Sequence, residues 1–205
     1  FTGYKLTMDN NDGDAPTSVT QSASGFKGIM QMGNFTLNAQ WTPWKHTVRY
    51  DANAKNDTSV KGIPASQSKT ANVDIKLSSS VPTRNGYTFL GWNTQADGKG
   101  TAYASGAAYK HDQNGGTVTL YAQWTAWKHT VHYNANGGDQ SSVPNDQKKT
   151  YGQSMNVATK VPTRNEYKFL GWTTGKDGSG TFYNPGDAYY HDQNGQTVTL
   201  YAKWI

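Results

Sequence analysis

This sequence predicts a mainly β fold, α+β at most, built as a tandem of small modules, and three observations carry that reading. Tyr, Trp and Phe make up 13% of the 205 residues, charged residues only 16%, and there are 22 glycines. That mixture suits half-buried strands joined by tight turns better than helices or disorder. Apolar and polar residues alternate with period two in several stretches, and the chain repeats itself at long range.

The repeat fixes the organisation. Residues 82–124 and 162–204 align without a gap, and 30 of the 43 positions are identical. Upstream, "WKHTVRYDANA" from Trp44 corresponds to "WKHTVHYNANG" from Trp127 at an offset of 83. Three residues therefore separate the copies in length, and they fall in the polar stretch after Ala54. A decayed third copy lies at the front, where "SASGF" and "FTLNAQWTPWKHT" resemble "YASGA" and "VTLYAQWTAWKHT". The expected domains are residues 1–41, a degenerate carboxyl half of a preceding repeat, and two complete modules at 42–124 and 125–205.

Each element has a local reason. In "TVTLYAQW", Val118, Leu120, Ala122 and Trp124 share one face, and Val198, Leu200, Ala202 and Trp204 repeat the parity; such strands bury one side. In the opening strand Trp44, His46, Val48 and Tyr50 face one way while Lys45, Thr47 and Arg49 face the other. Asp97-Gly98, Asn114-Gly115, Asp177-Gly178 and Asn194-Gly195 mark tight turns. Pro82 and Pro162 are expected at the starts of the "FLGW" strands, where a missing amide donor costs least. In "GYTFLGW", residues 86–92, Phe89 and Leu90 alternate faces so that both sides are covered, and Gly91 leaves room beside Trp92. Any helix is short and lies in the polar segment before each proline. Only Thr125-Ala126 separates Trp124 from Trp127, so the modules are expected to form a semi-rigid, elongated array.

Bulk chemistry narrows the function. Cysteine is absent, which removes disulfides, zinc thiolates and thiol nucleophiles together. The net charge of +5 is spread along the chain, with Lys148-Lys149 the nearest thing to a basic run, so nucleic acid is not an expected partner. Diffuse positive charge fits solubility, or weak attraction to an anionic wall polymer or glycan. No apolar run reaches the ~20 residues that cross a bilayer, so membrane insertion is not expected.

Taken together, "PTRNGYTFLGWNTQADGKGTAYASG" with "VTLYAQW", and "PTRNEYKFLGWTTGKDGSGTFYNPG" with "VTLYAKW", resemble the Listeria-Bacteroides repeat family, which includes the B-repeat of internalin B. The resemblance implies β-grasp-like modules in tandem within secreted or surface-attached bacterial proteins, serving as spacers, adhesion segments or accessory modules. It carries over no catalytic residue.

Catalysis has little material. His111-Asp112 and His191-Asp192 recur in "HDQNG", which reads as turn chemistry, since adjacent hairpin residues seldom converge on one substrate. Glutamate occurs once, at Glu166, opposite Gly86, so paired-carboxylate hydrolysis is not expected. His129 and His132 fall on opposite strand faces, and the Asp-Gly loops offer one carboxylate each where calcium takes several. No metal or cofactor is therefore expected. All seven tryptophans occupy repeat-equivalent positions, which favours packing in cores or joints over a glycan platform. Arg84 and Arg164, in the repeated "PTRN", are the candidate ligand-binding residues, for an anionic polymer or a partner; each could equally serve its own module. The sequence thus reads as a non-catalytic spacer and adhesion region of a bacterial surface or secreted protein. The alternative is a carbohydrate- or cell-wall-binding module attached to a glycan-active or wall-degrading protein. Possible partners are a cell-wall polymer, a glycan, a host surface protein and the neighbouring repeats.

Overall fold

A computed structural model describes residues 3–8, 19–22, 25–28 and 35–205, with side chains from residue 39 onward. In the leading segment β1 (Gly3–Met8) pairs antiparallel with β4 (Phe35–Gln40), and β2 (Val19–Ser22) with β3 (Gly25–Gly28). The expectation that residues 1–41 are half a module lies largely outside the described residues.

The first repeat supplies β5 (Lys45–Asp51), β6 (Gln67–Thr70), β7 (Ile75–Lys76), β8 (Tyr87–Asn93), β9 (Ala102–Tyr103), β10 (Ala108–Tyr109) and β11 (Thr117–Ala126). Five of these form one sheet in the order β6-β5-β11-β8-β9, and β7 pairs with β10 beside it. The second repeat supplies β12 (Lys128–Asn134), β13 (Gln147–Thr150), β14 (Phe169–Thr173), β15 (Phe182–Tyr183) and β16 (Thr197–Trp204), in the equivalent order β13-β12-β16-β14-β15. The fold is all β, as the alternation predicts. Among the described residues the only helical turn is a 3-10 turn at Gln140–Ser142, capped by Asp139, in the polar segment upstream of Pro162. With no α-helix on either sheet among the described residues, the β-grasp-like expectation rests on strand order alone.

In each repeat the first strand lies beside the last and parallel to it: Thr47 to Asp51 against Thr117 to Tyr121, and Thr130 to Asn134 against Thr197 to Tyr201. Parallel neighbours start at the same end of a sheet. The chain therefore enters a repeat at one end of the sheet and leaves at the other.

The predicted parity holds. His46, Val48 and Tyr50 are buried while Lys45, Thr47 and Arg49 are exposed, and Leu120 and Ala122 are fully enclosed. Trp92 and Trp172 are the largest enclosed side chains. The Trp92 ring meets Tyr50 edge-on at 4.7 Å and Phe89 at 5.1 Å, and Trp172 meets Tyr133 and Phe169 at 4.8 and 5.1 Å. Aromatic edges and faces thus pack together with the aliphatic side chains of each core.

Two local expectations change. Phe89 and Trp92 both pack into the core although an odd spacing should separate their faces. A β-bulge reconciles them: Gln123 opposes Gly91 and Trp124 opposes Phe89, so Leu90 has no cross-strand partner and is 64% exposed. Leu90 therefore covers no second face. Leu170 repeats the arrangement, skipped between Phe169 and Gly171. Glycine is required at the bulge, because a Cβ on Gly91, at φ +133°, would sit 2.8 Å from the Tyr103 carbonyl oxygen. Pro82 is buried but lies ahead of β8, next to Thr83, which bridges to Lys61. The proline serves the segment leading to the strand, not its first residue.

Replacing Trp172 with Ala removes the ring that both neighbours pack on and should cost about 3–5 kcal/mol. Thermal and denaturant unfolding should show the second repeat melting early, while Leu170→Ala, on the exposed bulge, should stay within about 0.5 kcal/mol of the parent.

Candidate functional site

Arg84 is held inside its own repeat. Its Nε donates to Asp57 Oδ2 at 2.8 Å, and its guanidinium lies 3.8 Å over the Tyr87 ring and 5.9 Å from that of Trp124. Hydrogen bonds from Ser59 and from Arg84 lower the Asp57 carboxyl to about 2. Arg164 lies 3.7 Å over Tyr167, and among the described residues no carboxylate reaches it. The two equivalent arginines thus stack alike, and only Arg84 carries an ion pair.

The "HDQNG" segments do more than turn. Asp112 accepts from the nearly enclosed ammonium of Lys69 and, through Oδ2, from the Asn72 amide at 3.0 Å. Lys69 also donates to the Thr70 carbonyl at 2.9 Å. The second repeat rebuilds this pair with Lys149 Nζ 2.5 Å from Asp192 Oδ1. Beside each pair a buried histidine meets a tyrosine hydroxyl, His46 with Tyr109 at 3.3 Å and His129 with Tyr189 at 3.2 Å. Burial raises the Tyr109 phenol to about 12 and pushes that of Tyr189 up as well. His132, on the opposite face from His129, pairs with Asp146 at 2.8 Å. The Asp97 and Asp177 carboxylates accept from the backbone amides of Lys99 and Ser179, which is turn geometry.

The tryptophans divide by place. Trp124 and Trp204 are half-buried against the cores, each indole donating to a carbonyl, Ala52 at 2.8 Å and Ala135 at 2.9 Å. Trp127 packs at the joint between repeats. Trp44 is 58% exposed and Trp41 73% exposed, against the expectation of core or joint packing. The reason at Trp44 is local: Trp127 has the Tyr151 ring 6.3 Å away, and the residue equivalent to Tyr151 in the first repeat is Ala71.

The joint is continuous β structure. Strand β11 runs past Trp124, pairing Thr125 with Thr88 and Ala126 with Tyr87, and then the Trp127 amide donates to the Gly86 carbonyl at 2.9 Å. The Tyr151 amide donates to Trp127 at 2.9 Å, and the Tyr151 ring lies 5.6 Å from that of Tyr87, over Gly86. A Cβ on Gly86 would sit only 2.2 Å from the nearest Tyr151 ring atom. Asn194 Nδ2 reaches Thr88 Oγ1 at 3.4 Å from the other side. The matching position in the second repeat is Glu166, at φ +63°, and Tyr167 beside it is 49% exposed.

An open cleft of about 710 Å³ lies at this joint, with Lys61, Arg84, Tyr87 and Phe89 from the first repeat and Trp127 and Asn194 from the second. The outer strands of the first sheet, Gln67–Thr70 and Ala102–Tyr103, are short, which leaves little edge for an added strand.

The Listeria-Bacteroides repeat domain matches this sequence twice, over residues 46–123 and 129–203. The chain belongs to the Listeria-Bacteroides repeat family. Similar proteins include a putative Gly-rich membrane protein of Evansella cellulosilytica, 38% identical over 60% of this chain and 14% of the relative. A second putative membrane protein of that organism is 30% identical over 82% of the chain and 23% of the relative. Internalin H of Listeria monocytogenes is 32% identical over 71% of the chain and 24% of its own length. The chain thus spans less than a quarter of each of these relatives. Among the described residues no helix is long and apolar enough to cross a membrane.

Within these Listeria-Bacteroides repeats, sequence reasoning passed over Lys69 and Lys149, whose offset of 80 matches that of Asp112 and Asp192 and is the signal that pairs them. It also passed over the contrast of Gly86 with Glu166 as a joint determinant.

A pH dependence follows from the buried histidines. Burial, His111 and the Lys69 ammonium hold His46 below its ordinary 6.5, Asp112 acting in the opposite sense. His129 is lowered in the same way by burial, His191 and Lys149. The unfolded chain then takes up these protons first, so their stabilisation is complete above pH 6.5 and is lost as pH falls towards the folded-state values. Melting temperature should drop below pH 6.5, less steeply in the double variant His46→Gln, His129→Gln; equal slopes would rule out these histidines as the source.

Proposed function

We propose that this chain is a non-catalytic spacer and interaction segment of a bacterial cell-surface or secreted protein. Residues 42–124 and 125–205 act as its modules and residues 1–41 as the carboxyl half of a preceding one. The observation that carries the reading is the joint. A strand that runs out of one repeat and into the hydrogen bonds of the next leaves no free linker to bend, and the Tyr151 ring seated on Gly86 resists rotation. With the chain entering and leaving each sheet at opposite ends, repeats joined in this way stand in line and hold their neighbours apart. Kinship with internalin H and with proteins named as membrane proteins supports a place at the cell surface.

A second reading, attachment to a carbohydrate or cell-wall polymer, is favoured by the cleft at the joint, which is lined by aromatic rings and by the exposed Lys61. A host surface protein is less favoured, because the sheet edges are short.

Small-angle scattering tests the spacer. A compact 205-residue body has a radius of gyration of about 17 Å, and the chain should exceed this clearly; a value at the compact limit would remove the reading. The joint has its own test. With no native cysteine, spin labels at Arg49→Cys and His132→Cys report one inter-repeat distance. The distribution should be narrow in the parent and broad in Gly86→Glu, a residue the left-handed position tolerates at Glu166. Equal widths would show that Tyr151 does not lock the joint.

A further inference from the structure

We propose that the cleft at the joint binds a linear anionic polysaccharide, with a pyranose ring stacked on Trp127 and an acidic substituent on Lys61. The proposal rests on the polymer-binding reading above and gives that reading a place and a ligand chemistry.

The place is built where the first repeat carries two of its three extra residues. Ser59 and Ser141 both bond the equivalent aspartates, Asp57 and Asp139, and Ile63 and Val143 both pack against the cores. Between these fixed points the first repeat has Val60-Lys61-Gly62 and the second has Ser142 alone. The insertion replaces a side-chain contact, Ser142 Oγ accepting from the Thr163 amide at 2.8 Å, with a paired bridge. Lys61 and Thr83 exchange both backbone hydrogen bonds at 3.0 Å. The backbone of Lys61 is thereby pinned at the rim of the cleft with its side chain exposed. Among the described residues no carboxylate lies within ion-pair distance of it. An insertion in a loop that presents a pinned, unpaired cation is placed for recognition more than for packing.

The ligand class follows from the walls. Lys61 and Arg84 line the cleft and no carboxylate does; because Asp57 neutralises Arg84, the free charge is that of Lys61. The half-buried Trp127 also lines the cleft, its backbone held by hydrogen bonds with Gly86 and Tyr151. A pyranose has an apolar C–H face that suits an aromatic ring and hydroxyl edges that suit the amides of Asn85 and Asn194, which also line the cleft. At about 710 Å³ the open cleft has room for a few sugar units, within the range of ordinary ligand clefts. A neutral glycan would leave Lys61 unused, and an acidic chain without rings would leave Trp127 unused.

Binding of oligogalacturonate, neutral dextran oligomers and polyglycerol phosphate to the full chain tests this by calorimetry, with the Trp127 indole resonance as the local reporter. Oligogalacturonate should bind, shift that resonance, and weaken at least tenfold in Lys61→Ala and in Trp127→Ala, while Arg49→Ala, outside the cleft, leaves it unchanged. Lys61 is exposed, so its variant keeps the parent's circular dichroism and melting. Equal binding of dextran, or binding of polyglycerol phosphate alone, overturns the proposed chemistry. Binding of oligogalacturonate that ignores both substitutions overturns the cleft and leaves polymer attachment standing. No binding of any probe overturns both.

Discussion

Each repeat depends on the parallel pairing of its first and last strands, because that pairing decides where the chain may go next. Antiparallel neighbours would return the chain to the end of the sheet it came from. Here β5 and β11, and again β12 and β16, run side by side in the same direction, so every repeat passes the chain from one end of its sheet to the other. A parallel pair needs a long crossover, and the hairpin, short strands and turns between β5 and β11 supply it without an α-helix. The core then collects on the face where His46, Val48, Tyr50, Leu120 and Ala122 point together.

The crossover has to bring two aromatic rings three residues apart onto that face, and the bulge at Leu90 does so. With Leu90 skipped, Phe89 and Trp92 close on Tyr50, Trp124 and each other. The same step recurs at Leu170. In a chain with no disulfide and few aliphatic residues, these ring contacts tie the crossover to the sheet, and so do the Lys69–Asp112 and Lys149–Asp192 pairs, whose ammonium groups are buried and whose carboxylates are exposed. Removing the carboxylate would leave a buried ammonium without its partner, which is costly, so each pair specifies which turn lies against which strand.

Much of this was legible in the residues. Period-two alternation gave the faces of β5 and β11, the Asp-Gly and Asn-Gly pairs gave turns, and the recurrence of Trp92 as Trp172 marked them as core. What escaped had no local signature. A bulge changes parity through its partner strand, so "FLGW" alone reads as regular alternation. Trp44 and Trp127 are equivalent in sequence, yet their environments diverge because Ala71 stands where Tyr151 does. Arg84 and Arg164 look identical in "PTRN", and each repeat carries an equivalent aspartate, yet Asp57 pairs with Arg84 while Asp139 is engaged by Ser141. Lys61 lay inside a length difference, which alignment treats as a gap.

The joint carries the argument from fold to function, since a spacer is only as stiff as its least constrained connection. Residue-resolved amide hydrogen exchange of the intact chain addresses it directly, at the amides of Trp127 and Tyr151. Both are hydrogen-bonded across or beside the joint, to Gly86 and Trp127 respectively, and both should exchange as slowly as the amides of β11 and β12. Exchange of these two amides at the rate of an open chain, with the strands on either side still protected, would contradict continuity of the sheet through the joint and with it the in-line arrangement.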